Sequence, residues 1–158
     1  MSINATYEAL RTLKLDGMAD VFAELAAQNA KAPLDPTQWV SHMVEREKSI
    51  QDARRLQSRL RAARLRHADA TMDNVDFTAE RTLDRAGFEA LRGGAWIETH
   101  RTVLMSGPCG VGKSFLACAL GHEACKYDKS VLYFRMPQLF AELANAKQVG
   151  TYDRLFNK

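Results

Sequence analysis

The feature that most constrains this chain is the octapeptide GPCGVGKS at residues 107–114, which fits the pattern G-x-x-x-x-G-K-[ST]. Its glycines tolerate backbone angles that a side chain forbids, so the loop is able to turn its amide N–H groups inward around an anion. The pattern predicts a phosphate-binding loop, with the Lys113 ammonium against the β- and γ-phosphates of a nucleotide and the Ser114 hydroxyl on Mg²⁺. An ordinary glycine-rich turn is the alternative interpretation.

The sequence on either side of the octapeptide favours the phosphate-loop interpretation. Residues 102–106 (TVLMS) are a short apolar run typical of a buried strand, and residues 115–120 (FLACAL) continue as an apolar helix. Strand, glycine loop and helix is the order that the motif requires. The predicted cofactor-binding residues are nine consecutive positions, with Ser114 also the predicted metal ligand: Gly107, Pro108, Cys109, Gly110, Val111, Gly112, Lys113, Ser114 and Phe115.

Length and composition indicate the class of protein to which the chain belongs. The chain has 158 residues, of which 46% are hydrophobic and 26% charged, as in a folded protein of one domain or of a small domain and part of another. Residues 1–5 lack the build of a secretory signal and no apolar run approaches about 20 residues, so we expect a cytoplasmic protein with no membrane partner. Three cysteines do not indicate a disulfide framework, and Cys118 and Cys125 are expected to share a packed helix face.

Helical periodicity predicts the organisation of the first half of the chain. Residues 5–30 predict two helices with a corner at Asp16-Gly17, and Asp35-Pro36 predicts the capped start of a helix running to about Arg66. Residues 78–91 predict one more helix, ended by two glycines. A second strand is predicted at 131–134 and a helix at 136–146.

The predicted domains are a helical N-terminal domain (1–76), a boundary segment (77–95) and the N-terminal part of a P-loop ATP-binding domain (96–158). The fold class is therefore a partial α/β P-loop domain preceded by an all-α domain.

Positive charge is concentrated between Arg46 and Arg66, where eight basic residues are opposed by Glu47 and Asp52 alone. Such a surface is a candidate for contact with nucleic-acid phosphates. The alternative is that the arginine stems cover the edges of a helix–helix seam while their charged heads stay in water. The candidate DNA-contacting residues are six arginines on the long helix: Arg54, Arg55, Arg59, Arg61, Arg64 and Arg66.

Several short segments together carry a family resemblance. They are LKLDGMA at 13–19, LDR at 83–85, WI at 96–97, the octapeptide, and FR at 134–135. With these segments the chain resembles the IstB-like family of insertion-sequence transposition helpers, which are AAA+ ATPases related to the DnaC-type helicase loaders. The likeness extends over nearly the whole chain, and the N-terminal segment combined with Trp96-Ile97 is more specific than the phosphate loop alone.

The resemblance implies ATP and Mg²⁺ as cofactors, self-association into an oligomer in the full-length family, and DNA and a transposase as partners. The implied function is an ATP-binding helper of DNA transposition that binds DNA and stimulates its partner transposase. Two alternatives stay open. One is a DnaC-type replicative helicase loader with the same nucleotide site, and the other is a non-catalytic nucleic-acid-binding fragment or a decayed reading frame.

The second acidic motif of such ATPases, Walker B, and their arginine finger are absent from this sequence. The acidic residues after the loop, Glu123, Asp128, Glu142 and Asp153, do not end an apolar strand, so no catalytic residue is assigned and hydrolysis is left open. We expect a truncated reading frame or family fragment. In the family's sheet other strands separate 102–106 from 131–134, so these two segments either lack neighbours or pair directly through a right-handed crossover.

Overall fold

The structure, a computed structural model, describes residues 3–28, 35–78 and 83–153, which fall into two compact units, 1–58 and 59–158. No helix in these ranges has the length and apolar character that a membrane crossing demands. The α-helices are α1 (Ile3–Thr12), α2 (Asp16–Gln28), α3 (Pro36–Ala63), α4 (Arg85–Glu89), α5 (Ala95–Glu98), α6 (Lys113–Lys126) and α7 (Met136–Val149), and a short 3-10 helix spans Met72–Asn74.

The first unit contains α1, α2 and most of α3. The corner between α1 and α2 lies at Leu13–Leu15, just before its predicted position, and Lys14 makes the turn with a left-handed φ of 61°. Helix α3 begins as predicted: Pro36 is its first residue, and the Thr37 amide donates to Asp35 Oδ2 at 3.2 Å. Its end falls at Ala63, three residues before the predicted Arg66.

Glu47 of α3 forms the central contact of this unit. Its carboxylate is buried and accepts hydrogen bonds from the Gly17 amide at 2.8 Å, the Met18 amide at 3.3 Å and Gln51 Nε2 at 3.0 Å. The amides belong to the first turn of α2, where a negative charge also meets the positive end of the helix dipole. The two backbones approach closely: a Cβ at Gly17 would lie 2.8 Å from Glu47 Cα. The glycine of the N-terminal LKLDGMA segment therefore permits α2 and α3 to cross.

The second unit is built around α6. Buried positions occur on nearly every side of this helix, as expected for a helix at the centre of a domain, and both Cys118 and Cys125 are fully buried, which confirms their predicted packing. Around α6 lies a core that includes Met72, Phe88 and Leu116. The segment 65–75 contributes Leu65, Ala70, Met72 and Val75 to this core, so it packs with the phosphate-loop half of the chain.

The division of the chain into compact units lies between Ser58 and Arg59, within α3. The domain limits at residues 76 and 95 stay predictions about folding units. Of the helix predicted over 78–91, residues 79–82 lie outside the described residues, and α4 occupies Arg85–Glu89. The predicted helix at 136–146 is α7, which continues to Val149 before Gly150 ends it with a φ of 71°.

The described residues contain no β-strand, so the strands predicted at 102–106 and 131–134 are not confirmed. A strand requires a neighbouring backbone, and the recorded main-chain bond from residues 131–134 runs instead from Tyr133 N to Ala63 O, at 2.9 Å. Residues 102–106 still alternate as a strand would: Val103 and Met105 pack on the core while Leu104 is 91% exposed. Residues 102–106 thus show the alternation of packed and exposed side chains that a strand has, but within the described residues they do not form the hydrogen bonds of a β-sheet.

Candidate functional site

The loop at residues 107–114 adopts a backbone that only glycine enters readily. Gly107, Gly110 and Gly112 have φ angles of 148°, 86° and 92°. Gly112 is the N-cap residue of α6, and Lys113 begins the helix. The sequence therefore makes a sharp entry into a 14-residue helix, with the start of that helix at the floor of the loop.

Lys113 folds its side chain back over this loop. Its Nζ donates to the carbonyl oxygens of Gly107 at 2.9 Å and Pro108 at 2.6 Å. The ammonium is thus held at the mouth of the loop by two main-chain acceptors, with a third N–H left to donate. An anion seated in the loop would meet a positive charge that is already in position.

Main-chain donors at the start of α6 complete the anion-binding arrangement. Within the described part of the chain, the amides of Gly112, Lys113 and Ser114 donate to no carbonyl, and the first helical bond runs from Leu116 N to Gly112 O at 3.0 Å. A triphosphate fits this donor set, and the half-buried Ser114 offers the hydroxyl that would ligate Mg²⁺. The Phe115 ring packs on His67 with its centroid 5.9 Å away, so this residue would face a nucleotide through its backbone only.

A cavity of about 600 Å³ adjoins the loop. One wall is apolar and comes from Leu83, Phe88 and Leu91, and the other includes Met105, Val111 and Lys113. Its size suits a small organic ligand. The sequence analysis did not predict that Leu83, Phe88 and Leu91 line a cavity beside the loop. The cue was their position just ahead of the phosphate loop.

Trp96 and Ile97, the apolar pair ahead of the loop, lie outside the cavity beside it. The Trp96 indole N–H donates to Leu91 O at 3.1 Å. Trp96 therefore steadies the turn that carries Leu91. Its influence on the cavity is indirect.

Two of the four acidic residues after the loop form ion pairs, and none of the four lines the cavity beside it. Glu123 is buried in α6 and pairs with Lys126 at 3.0 Å, and Asp128 pairs with Arg59 at 2.6 Å. Glu142 lines a second cavity, and Asp153 does not line the one beside the loop. Asp84 supplies a carboxylate to the cavity beside the loop. The described residues thus bring phosphate-binding donors together without a carboxylate placed after the loop, and they contain no cluster suited to a metal ion by itself.

The six candidate DNA-contacting arginines divide into two groups. Arg54 pairs with Asp16, which also binds Arg11 at 3.0 Å, and these two guanidiniums hold the pKa of the Asp16 carboxyl below its usual value. Arg55 lies 3.8 Å from Asp52, and Arg59 is bound to Asp128. The other three guanidiniums have no ion pair or hydrogen bond within the described ranges: Arg61, Arg64 and Arg66.

The three cysteines differ sharply in exposure. Cys109 lies exposed in the loop, whereas Cys118 and Cys125 are buried, and burial raises the pKa of the Cys125 thiol. All three are free thiols in the structure. Cys109 is therefore the one exposed thiol of the three, and its chemical labelling is sensitive to changes in the loop.

The chain is similar to a family of ATP-binding proteins. The sequence model of the family described as IstB-like ATP binding protein matches residues 8–158, and this match supports a P-loop NTPase fold. An insertion-sequence ATP-binding protein of Sinorhizobium fredii is 48% identical over 155 residues, which are 98% of this chain and 63% of that protein.

Two Pseudomonas proteins show the same pattern. The ATP-binding protein of insertion sequence IS1162 from Pseudomonas fluorescens is 35% identical over 98% of this chain and 67% of its own length. The ATP-binding protein of insertion sequence IS21 from Pseudomonas aeruginosa is 33% identical over 92% of this chain and 54% of its own. The chain therefore spans between about half and two thirds of the length of these relatives, and it belongs to the IstB-like ATP-binding protein family.

Proposed function

We propose that this chain is an ATP-binding helper of DNA transposition, which holds ATP with Mg²⁺ at residues 107–115, binds DNA and stimulates a partner transposase. The observation that carries the nucleotide part is the loop itself. Left-handed glycines, a lysine held at the mouth, and first-turn amides of α6 that donate to no carbonyl within the described ranges together support an anion-binding cup. Names of relatives that describe insertion-sequence ATP-binding proteins support the same assignment.

In this proposal the Lys113 ammonium and the loop amides hold the phosphates, and Ser114 ligates Mg²⁺ through its hydroxyl. Held at Ser114, Mg²⁺ would supply positive charge that offsets the charge of the phosphates. The apolar wall of the adjacent cavity, formed by Leu83, Phe88 and Leu91, would receive the adenine ring. The protein groups bind and orient the nucleotide, and no residue is assigned to the activation of water.

The nucleotide site is tested with a fluorescent ATP analogue and Mg²⁺, titrated into the wild type and Lys113→Ala. Loss of one charged donor to phosphate should weaken binding by at least tenfold. Lys147→Ala, which removes an exposed lysine of α7 far along the chain from the loop, is the matched control and should bind as the wild type does. Equal titration curves for the wild type and Lys113→Ala would refute the assignment.

DNA binding is proposed for the arginines of α3 and the segment after it. Charge supports this part, since Arg61, Arg64 and Arg66 lack acidic partners within the described ranges. The paired arginines belong to the proposed surface as well, because exposed ion pairs are weak and readily exchanged for phosphate. Duplex binding measured across a salt series should fall steeply as salt rises. A flat salt response would contradict phosphate contact.

The transposase partner, the oligomer and the α/β architecture belong to the same proposal. The alternating exposure of Val103, Leu104 and Met105 supports a strand with one face on the core and the other prepared for a covering layer. Strand transfer by the partner transposase should rise when this chain and ATP are added together. An unchanged rate would remove the helper role and leave nucleotide binding untouched.

A further inference from the structure

The second unit contains another cavity, of about 630 Å³, that shares no residue with the cavity beside the phosphate loop. Its lining brings together three arginines from two distant parts of the sequence, namely Arg64, Arg66 and Arg135. Tyr133, Phe134 and Glu142 also line it. Its volume is within the range of small-molecule and nucleotide sites.

Main-chain geometry holds the two walls of this cavity together. Helix α3 ends at Ala63, and the Ala63 carbonyl accepts a hydrogen bond from Tyr133 N at 2.9 Å. Arg64 follows immediately with a left-handed φ of 53°, which turns the chain away from the helix axis. The backbone bond therefore fixes the segment that carries Arg64 and Arg66 beside the segment that carries Arg135. A second link, between Arg59 and Asp128 at 2.6 Å, joins the same two stretches of chain.

The charge in this cavity is not neutralised by the protein. Within the described ranges the guanidiniums of Arg64, Arg66 and Arg135 form no ion pair and no hydrogen bond, although Arg59 nearby in sequence is paired. Glu142 is the carboxylate of the lining, so three positive charges face one negative charge. Arg135 is also the N-cap residue of α7 and has no side-chain capping bond, so the positive end of a 14-residue helix adds to the field. An anion is the ligand that this arrangement favours.

Aromatic rings lie beside these guanidiniums. Tyr133 and Phe134 are both half-buried, and Tyr133 packs partly against the core, which limits its freedom. Cationic side chains next to fixed aromatic rings are the combination that binds single-stranded nucleic acid, where phosphate meets the charge and an unpaired base stacks on the ring. A phosphate alone would use the arginines and leave the rings without a role.

We propose that this cavity seats one unpaired nucleotide of a DNA strand, with its phosphate on Arg64, Arg66 and Arg135 and its base against Tyr133 or Phe134. The inference rests on the DNA-binding part of the proposed function and makes it specific. It narrows the proposed DNA contacts from all the arginines of the basic helix to the residues of one cavity. It also adds Arg135, which lies far from that helix in sequence. It is independent of the nucleotide held by the phosphate loop.

The test uses a fluorescent oligothymidylate of about 12 nucleotides, titrated over a salt series. Arg135→Gln should weaken binding roughly fivefold to tenfold and reduce the slope of log K against log salt by about 0.7, the value for one phosphate contact on a single strand. Arg101→Gln is the matched control, because Arg101 is exposed and lines neither cavity. Equal binding by the two variants would overturn the inference. Arg66→Gln, on the opposite wall, repeats the test should Arg135→Gln lose its fold.

The base is tested separately from the phosphate. Phe134→Leu should weaken binding of the oligothymidylate about tenfold and leave an abasic oligonucleotide of equal length unaffected. An equal loss with the abasic strand would overturn the stacking role. Free thymidine monophosphate should compete far more weakly than the strand, and equal competition would assign the cavity to a free nucleotide instead. A loss in Arg135→Gln that is as large for an intact duplex would contradict the unpaired nucleotide.

These measurements separate the inference from the proposed function. If the wild type binds DNA with a steep salt dependence and Arg135→Gln does not differ, the cavity assignment fails while the basic helix stands. If the wild type binds no DNA of either form, both DNA claims fail, and titration of the ATP analogue still decides the phosphate loop. Binding of that analogue should be unchanged in Arg135→Gln, because the two cavities have no lining residue in common.

Discussion

Two side chains of the phosphate loop, the Cys109 thiol and the Lys113 ammonium, are suited to detect a bound nucleotide. Cys109 is exposed while the Lys113 ammonium rests on two carbonyls of the same loop, those of Gly107 and Pro108. A nucleotide bound in the loop would contact the ammonium and restrict access to the thiol. Both events are measurable without any reaction of the nucleotide.

Labelling of the native protein with a maleimide should modify Cys109 and spare Cys118 and Cys125. The buried thiols have no exposed surface, and burial raises the pKa of Cys125, which keeps its thiolate scarce. Addition of ATP with Mg²⁺ should slow the labelling of Cys109 severalfold, and the protection should vanish in Lys113→Ala. Peptide mass analysis at successive times gives the rates. Unchanged labelling under saturating nucleotide would contradict a ligand in the loop.

The crossing of α2 and α3 depends on the missing side chain of Gly17. A methyl group at this position would lie 2.8 Å from Glu47 Cα and N, and backbone cannot swing aside as a side chain does. Gly17→Ala should therefore destabilise the first unit by about 1–3 kcal/mol, as overpacking usually does. Urea titration of Trp39 fluorescence in a Trp96→Phe background measures this. Gly93→Ala is the control, since nothing lies within 4 Å of a methyl group there, and a loss as large in both would refute the steric argument.

At the scale of elements, the burial of His122 in α6 makes stability depend on pH. The Nδ1 atom is buried without a hydrogen-bond partner in the described part of the chain, and desolvation, helped by Lys126, lowers the pKa of the imidazole. The folded state thus binds fewer protons than the unfolded state, whose histidine titrates near about 6.5. Stability should fall as pH drops through that value and continue to fall until the folded pKa is passed.

Substitution isolates this effect. In His122→Leu the midpoint of urea unfolding, followed by Trp96 fluorescence, should change less between pH 7.5 and about pH 5.5 than it does in the wild type. His100→Asn is the matched control, because His100 is exposed and asparagine tolerates its left-handed φ of 53°. This control should keep the full pH dependence. An equal slope in wild type and His122→Leu would remove the histidine as its source.

Local features of the fold were predictable from sequence, and long-range ones were not. The phosphate loop and the Asp35 cap of α3 are set by residues a few positions apart, so a pattern reveals them. The partners of Arg54 and Arg59, namely Asp16 and Asp128, lie far away in sequence, and no periodicity points to them. The predicted strands depend on neighbours that the described residues do not provide. The segment predicted as a buried strand at 102–106 exposes Leu104 and packs Val103 and Met105 on the core, and its strand pairing stays unconfirmed.

The position of Arg135 beside Arg64 and Arg66 in one cavity was not predicted, for the same reason. It is an isolated basic residue in the printed sequence, whereas the arginines of α3 form a dense run that draws attention. Its partners in the cavity, Arg64 and Arg66, come close only because the chain folds back past the end of α3. The available cue was its place directly after two aromatics and before Met136-Pro137, where a helix begins.

At the scale of the whole molecule, the two units differ in how much they bury. Among the described residues of the first unit, the buried side chains are those of Ala19 and Glu47. The second unit buries a larger set, which includes Met72, Phe88 and Leu116. Since burial of apolar surface supplies most of the stability of a domain, the first unit should unfold at lower denaturant.

Single-tryptophan variants test this difference directly. Trp39 lies in the first unit, with its ring centroid 6.3 Å from that of Phe22, and Trp96 lies in the second. Urea titrations of Trp96→Phe and Trp39→Phe should give two different midpoints, with the Trp39 signal changing first. Far-ultraviolet circular dichroism on both proteins checks that each substitution preserves helix content. Coincident midpoints would show a single cooperative molecule instead.

The hydrogen bond from Tyr133 N to Ala63 O has a consequence for genetics as well as for shape. Both of its atoms are common to all amino acids, so alanine scanning would pass over it and score the junction as unimportant. Proline at 133 is the one natural substitution that deletes the donor. Because the bond uses backbone atoms, substitutions of the neighbouring side chains other than to proline at 133 leave both of its atoms in place. Homologues are therefore able to share this hydrogen bond even where their residues at these positions differ.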